Sequence, residues 1–238
     1  MVNLMHKQPL ITLKELGYVP TPASKGSHFP IPHARFARTV REALLSTGTE
    51  IAREQHAIDK EGQRYFGLLD LKRDTDSDYG LTVGIRNSHD KTFAAGLCAG
   101  NRVFICDNLS FSNEIVLARR HTRYIGDDLQ RLVFEAVGKL GEAHTRQDAR
   151  IARYKERRFH NNDVHDFVIR SVDAKIIPNA RVPEVLGEWR KESATFGSST
   201  AWKLFNAYTE VMKRYTVEDL PRRTIRLHGM MDTSCGVN

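Results

Sequence analysis

Residues 79–89 have the sequence YGLTVGIRNSH, and their alternation is the clearest indication of the fold class. Large apolar side chains stand at every second position with small or polar ones between them, which is typical of a β-strand with one buried and one solvated face. We predict five further strands, at residues 49–57, 65–71, 92–98, 101–106 and 114–119. Glycine permits a tight reversal, so Ala99-Gly100 is predicted to be the turn of a hairpin.

After Tyr124 the apolar period lengthens from two residues to between three and four, which predicts an amphipathic helix over residues 125–140. Another helix is predicted between Pro32 and Gly48. Three more are predicted at residues 163–176, 183–191 and 200–215. Because the strands precede most of the helices, the sequence predicts an α+β fold, with an antiparallel β-meander followed by C-terminal helices packed on it.

The predicted domain organisation follows from the distribution of proline. Residues 1–32 contain five of the eight prolines, which predicts an irregular N-terminal arm. Residues 33–238 are predicted to form a single α+β domain that is rich in strands over 49–120 and helical over 124–215. The 238 residues, 40% of them hydrophobic, are enough to bury a substantial core.

The composition also excludes several classes of protein. The sequence has no run of about 18 apolar residues and no N-terminal secretion signal, so we expect a cytoplasmic protein without a membrane partner. The three cysteines are too few and too scattered for a disulfide framework: Cys98, Cys106 and Cys235. They form no zinc-binding motif, and we predict neither a metal site nor a bound cofactor.

Positive charge is concentrated in the C-terminal half. The formal net charge is +7, and residues 119–238 hold 22 Lys and Arg against 16 Asp and Glu. Four arginines recur there at steps of four, three and four residues, which places them on one helical face: Arg146, Arg150, Arg153 and Arg157. Such a row is stabilised by phosphate, so we predict that it binds nucleic acid. The alternative is a solvated face on which arginine stems cover apolar surface.

Polar residues are concentrated where two predicted strands end. Arg86-Asn87-Ser88-His89-Asp90 follows the first of these strands, and Asp107-Asn108 follows the second. If the chain reverses at Gly100, the two clusters emerge at the same end of the sheet, about 10 Å apart. The sequence therefore predicts a shared site.

This shared site would suit chemistry on a phosphate-containing substrate. His89 is the candidate general base or acid, while Asp90 and Asp107 are candidate orienting groups, or ligands of Mg²⁺ or Mn²⁺ if the protein is an enzyme. The candidate donors to phosphate or nucleic acid are Arg86, Asn87 and Asn108. The alternative is structural, because Asn, Ser and Asp are also the residues that tight turns require.

Three segments in combination resemble the phage- and plasmid-associated family known as domain of unknown function 932: Gly84–Asp90, Gly100–Asn108 and Trp202–Glu210. The resemblance extends from about Ser46 to Tyr215. It implies a mobile genetic element in a bacterial host cell, because the family has no agreed activity to transfer. It also favours these positions as site residues: Arg86 to Asp90, Asp107, Asn108, Asn206 and Thr209.

The leading expectation is a nucleic-acid-binding protein of a phage, prophage or plasmid, which binds or anneals single-stranded DNA in recombination. A meander followed by a long basic helix is also the element order of single-strand annealing proteins, whose rings and filaments suggest a homo-oligomer here. One alternative is a nuclease or nucleotide hydrolase that uses His89, Asp90 and Asp107. Another is an interaction protein that blocks a host defence system.

Overall fold

The computed structural model of the protein describes residues 9–72, 79–103, 108–192, 199–216 and 219–237. Contacts between residues divide the chain into two compact units. The sheet unit contains residues 9–72, 79–103 and 113–143, and the helical unit contains residues 108–112, 144–192, 199–216 and 219–237. Asp107, one of the predicted site residues, lies outside the described residues.

The sheet is a six-stranded antiparallel meander in which every strand pairs with the next one along the chain. Its strands are β1 (Leu10–Ile11), β2 (Ile51–Ile58), β3 (Arg64–Leu71), β4 (Tyr79–Ser88), β5 (Ala95–Val103) and β6 (Asn108–Arg119). The α-helices in the described residues are α1 (Leu13–Leu16), α2 (His33–Ser46), α3 (Ile125–Gly138), α4 (Leu140–Glu156), α5 (Asn161–Asp173), α6 (Val182–Arg190), α7 (Ala201–Met212) and α8 (Leu220–Cys235). The predicted α+β class is confirmed.

The predicted hairpin at Ala99-Gly100 is wrong. β5 continues through these residues, and Gly100 pairs with Thr82 in the interior of the strand. The reversal lies instead at residues 89–94, where Lys91 has a left-handed φ of 66°. Turn-forming polar side chains at the end of β4 therefore decide the reversal, and the small residues of β5 pair within the sheet.

β4 is buried on both faces, whereas its alternation predicts burial on one. Val83 and Ile85 belong to the hydrophobic core that the sheet shares with α2 and α3. On the opposite face, the Thr82 hydroxyl donates a hydrogen bond of 2.7 Å to buried Asp70. The small and polar positions are thus interior as well, which is common for a central strand.

α2 covers the apolar face of the sheet. Phe36, Val40 and Leu44 recur at helical spacing and are fully buried, and the helix packs against α3 and β4. Gly48 follows the helix with a φ of 75°, a backbone conformation that glycine adopts without strain. The predicted helix between Pro32 and Gly48 is confirmed.

We expect Gly67→Ala to destabilise the protein. Gly67 lies under the side chain of Tyr65 in β3, and an added Cβ would collide with the Tyr65 hydroxyl. That buried hydroxyl donates a 2.8 Å hydrogen bond to Nδ1 of buried His56, which the collision would disrupt. The expected loss is about 2 kcal/mol in the free energy of unfolding, measured by urea denaturation.

Gly187→Ala is the matched control for this substitution. Gly187 lies in α6, and a Cβ added there would have open space around it, so alanine should stabilise the helix by about 0.5–1 kcal/mol. Equal stability of the Gly67→Ala variant and the wild type would contradict the proposed collision.

Candidate functional site

Three chain segments meet where β4 turns into β5, and hydrogen bonds join them. The carbonyl oxygen of Ile31 accepts one from Nδ2 of Asn87 at 3.1 Å and one from Nε2 of His89 at 2.9 Å. Nε2 of His28 donates to the carbonyl of His89 at 3.0 Å, and the backbone N–H of Phe29 donates to the carbonyl of His121 at 2.8 Å. The segment before α2 is therefore hydrogen-bonded both to the end of β4 and to the segment between β6 and α3.

Two predicted site residues, Asn87 and His89, make structural contacts at this junction. Asn87 is fully buried, and its Nδ2 also donates to Nδ1 of His33 at 2.8 Å. The ring of His89 is 4% exposed and stacks on the ring of His33, with centroids 3.8 Å apart and planes inclined by 11°. These contacts orient the start of α2, and the catalytic role of His89 stays a prediction.

Asp90 forms the turn that follows β4. Its carboxylate accepts hydrogen bonds from Nε of Arg64 at 2.6 Å and from the backbone N–H of Thr92 at 3.0 Å. Burial alone would raise the pKa of Asp90, but the bonds from Thr92 and Arg64 outweigh it and hold the pKa at about 2. Asp90 is therefore ionised at neutral pH and already paired.

The shared site of Arg86–Asp90 with Asp107-Asn108 was predicted from a chain reversal at Gly100, and β5 does not reverse there. β5 ends opposite Tyr79, at the end of β4 that is farthest from Arg86. Arg86 also lies on the face of β4 opposite to Asn87, with its guanidinium 5.5 Å from the ring centroid of Phe93. Asn108 is the first residue of β6.

A pocket of about 490 Å³ lies beside this junction. It is lined by Ser27, His28, Lys91, Thr92, Phe93, Ala94, Arg120, His121 and Thr122. The ring of His121 is 5% exposed and lies 5.3 Å from that of His28, centroid to centroid. Neither ring nitrogen of His121 makes a hydrogen bond of good geometry among the described residues, although the Phe29 backbone is close enough to raise the pKa of the ring. The pocket therefore has cationic and hydroxyl side chains in its lining, with the buried His121 beside them.

Burial keeps His33 and His121 neutral. It is the main cause that lowers the pKa of His121 to about 4, with smaller contributions from His28 and His89. It likewise lowers the pKa of His33 to about 3, with His89 adding to the effect. Each ring can therefore act as one donor and one acceptor at neutral pH.

Sequence reasoning missed the histidines of this pocket and of the α2 start. The burial of His33 could have been predicted, because His33 precedes Phe36 and Val40 at the spacing of the buried face of α2. His28 and His121 carry no comparable pattern. They lie in irregular segments about 90 residues apart in sequence, and only the folded chain places their rings side by side.

The predicted arginine row lies on and just after α4, but its members differ in environment. Arg146, Arg153 and Arg157 are exposed, and we call them the exposed arginine face. Arg150 is turned inward, with 14% of its side chain exposed and Nε 3.0 Å from Oδ1 of Asp232. Arg150 lies next to the buried side of α4, where it forms an ion pair with the Asp232 carboxylate.

Asn206 and Thr209, which the family resemblance favoured, are both buried in α7. Nδ2 of Asn206 donates to the carbonyl of Trp202 at 2.9 Å, and the Thr209 hydroxyl donates to the carbonyl of Asn206 at 3.1 Å. These local bonds satisfy polar groups inside the helical unit.

Residues 26–231 match the family model described as a domain of unknown function (DUF932). The chain belongs to this family. The DUF932 match includes the β4–β5 turn, the pocket and the exposed arginine face. No curated protein and no solved structure matches the chain. Among the described residues, no helix is long and apolar enough to cross a membrane, and no three His, Cys, Asp or Glu are grouped as metal ligands.

We expect acid to destabilise the protein through its buried histidines. The pKa values of His33 and His121 are about 3 and 4, against about 6.5 in an unfolded chain. The stability that each contributes is therefore complete above pH 6.5 and is lost as the pH falls toward 4, by up to about 1.4 kcal/mol per pH unit. Denaturant unfolding between pH 4 and 8 measures this slope.

His121→Gln should flatten this acid dependence, because glutamine has no proton to gain in the range. His165→Gln is the matched control, since His165 is exposed on α5, and its profile should match the wild type. Identical slopes for the His121→Gln variant and the wild type would show that His121 does not cause the acid loss.

We expect Arg150→Ala to lower the free energy of unfolding by about 3 kcal/mol, because it removes the cation beside the Asp232 carboxylate. Asp232 is 19% exposed, and it also accepts a hydrogen bond of 2.5 Å from the Tyr154 hydroxyl. Arg153→Ala serves as the control and should change stability by less than about 0.5 kcal/mol. Chemical denaturation compares the two variants, and equal losses would refute a structural role for Arg150.

Proposed function

We propose that the protein binds nucleic acid through its phosphate backbone, with the exposed arginine face as the contact surface. The observation that carries the proposal is the exposure of Arg146, Arg153 and Arg157 on one side of a helix. Separations of seven and four residues bring these side chains within about 40° of one another around the helix axis. The N–H of Arg157 bonds to the carbonyl of Arg153 at 3.0 Å, so the helical geometry extends to the last arginine.

The spacing along the helix suits a phosphate backbone. At 1.5 Å per residue, Arg146 and Arg157 are about 16 Å apart along the axis, which is about five phosphates of one strand of a duplex. Ala149 and Ala152 lie between them and are exposed, so their small side chains leave the guanidinium groups accessible to a polymer. The surface therefore offers several contacts to one backbone.

The electrostatics of the helical unit support this surface. Residues 144–238 hold 17 Lys and Arg against 12 Asp and Glu. The carboxylate of Glu156 lies 3.5 Å from Arg153, and both side chains are more than 60% exposed. An exposed pair of this kind contributes little, so phosphate can replace the carboxylate as partner.

We propose single-stranded DNA as the specific ligand and recombination for a phage, prophage or plasmid as the setting. The support is the order of elements, in which an antiparallel meander precedes a long basic helix, together with the phage and plasmid association that the sequence resemblance implies. The contacts of His89 and Asp90 give no comparable support to an enzyme, because Nε2 of His89 bonds to the Ile31 carbonyl and the Asp90 carboxylate is paired with Arg64.

We expect the triple substitution Arg146→Ala, Arg153→Ala and Arg157→Ala to weaken DNA binding and its salt dependence. Each lost phosphate contact removes about 0.7 from the slope of log affinity against log salt on single strands, so the slope should fall by about 2. Fluorescence anisotropy of a labelled oligonucleotide over a salt series measures it. Base composition should matter little, because phosphate contacts position a ligand without reading its sequence.

A matched control removes three other arginines, Arg131, Arg170 and Arg222, which are between 54% and 61% exposed and each lie within about one turn of an acid. This control has the same net charge as the test variant and should keep most of the wild-type slope. Equal losses in the two triple variants would mean that overall charge, and not the exposed arginine face, drives binding. A parallel series on duplex DNA tests the preference for single strands.

A further inference from the structure

The pocket in the sheet unit is unrelated to the exposed arginine face and needs its own explanation. Its lining comes from three places in the chain: the end of the N-terminal arm, the β4–β5 turn and the segment between β6 and α3. All of these residues belong to the sheet unit, so the pocket is formed within one compact body. The hydrogen bonds that join these segments also fix its walls.

The chemistry of the lining favours an anion. Two of its side chains are cationic, Lys91 and Arg120, and three carry hydroxyls, Ser27, Thr92 and Thr122. No carboxylate is among the described lining residues, and the nearby Asp90 is paired with Arg64. Positive charge combined with several N–H and O–H donors is what phosphate oxygens require.

His121 provides a second and independent observation. The residue is 95% buried, yet neither ring nitrogen makes a hydrogen bond of good geometry among the described residues. A buried polar group left in this state is costly, and a turn of the ring toward the pocket would let a ligand supply the missing bond. Burial lowers the pKa of His121, and an anion would raise it again by stabilising the imidazolium.

We propose that this pocket binds the phosphate group of a nucleotide or of a nucleic-acid 5′ end, with Lys91 and Arg120 supplying charge and His121 a hydrogen bond once its ring turns toward the pocket. The volume of about 490 Å³ lies within the range of small-molecule pockets, so it accommodates a sugar attached to the phosphate. This proposal does not depend on whether the exposed arginine face binds a nucleic-acid backbone, because the two sets of residues are separate.

The backbone of Lys91 guides the choice of variant. Its φ of 66° is in the left-handed region, which asparagine tolerates better than most residues. Lys91→Asn therefore removes the charge without adding strain. Arg120→Gln removes the second charge, and His121→Phe keeps an aromatic ring while removing both ring nitrogens.

Isothermal titration calorimetry of the full chain tests the proposal, with inorganic phosphate, thymidine 5′-monophosphate and thymidine as probes at pH 7. We expect the phosphate and the nucleotide to bind and thymidine not to bind. Lys91→Asn, Arg120→Gln and His121→Phe should each weaken nucleotide binding at least tenfold. Arg123→Gln is the matched control, because Arg123 is exposed nearby but does not line the pocket, and it should change affinity less than twofold.

Several results would overturn the proposal. Absence of heat from both phosphate and nucleotide at millimolar concentration is one, and equal effects of Arg120→Gln and Arg123→Gln are another. Thermal unfolding identifies any variant that fails to fold. Arg120 is exposed, so the nucleotide affinity of Arg120→Gln tests the proposal even if another pocket variant does not fold. Retention of wild-type nucleotide affinity in all three folded pocket variants would also refute it.

Two further arms identify the source of the phosphate and separate this proposal from the previous one. Tighter binding of a 5′-phosphorylated oligonucleotide than of its 5′-hydroxyl counterpart supports a nucleic-acid end, whereas equal binding alongside nucleotide binding supports a free nucleotide. The triple alanine variant of the exposed arginine face should bind the nucleotide as the wild type does. Loss of nucleotide binding in that variant would place the site in the helical unit and contradict the proposal.

Discussion

The carbonyl oxygen of Ile31 accepts hydrogen bonds from Asn87 and His89, and the arrangement of the sheet unit depends on this pair. Both donors are buried, where an unpaired polar group costs about 1–3 kcal/mol. These bonds therefore hold the segment before α2 against the end of β4. Since α2 begins two residues later at His33, the same bonds fix how that helix covers the apolar face.

This constraint explains why polar residues occupy a buried strand end. Asn87 bonds to both Ile31 and His33, and His89 stacks on His33, so one cluster joins the strand, the arm and the helix. His28, which belongs to the arm, and His121 have their ring centroids 5.3 Å apart. The pocket follows from this packing, because the turn that carries Lys91 closes one side of it.

The repeat of apolar residues is sufficient to predict a helix or strand where that segment packs regularly against one core. β4, α2 and α3 are predictable because their apolar residues repeat cleanly against one core. Periodicity fails at Gly100, since a glycine between small residues suits a turn and a crowded central strand equally well, and only pairing with Thr82 decides between them. The inward position of Arg150 is not predictable from sequence either, because Asp232, its partner, is 82 residues away.

The two proposed phosphate sites depend on different physics. Exposed arginines act through long-range charge, which salt screens over about 10 Å at 0.1 M and which discriminates little between ligands. His121 would act through a single hydrogen bond made from a buried position, so geometry and protonation govern its contribution. A single chain that combines both would tolerate many sequences along a backbone while responding selectively to one phosphate. The separation of the two residue sets into different compact units allows each to be altered without the other.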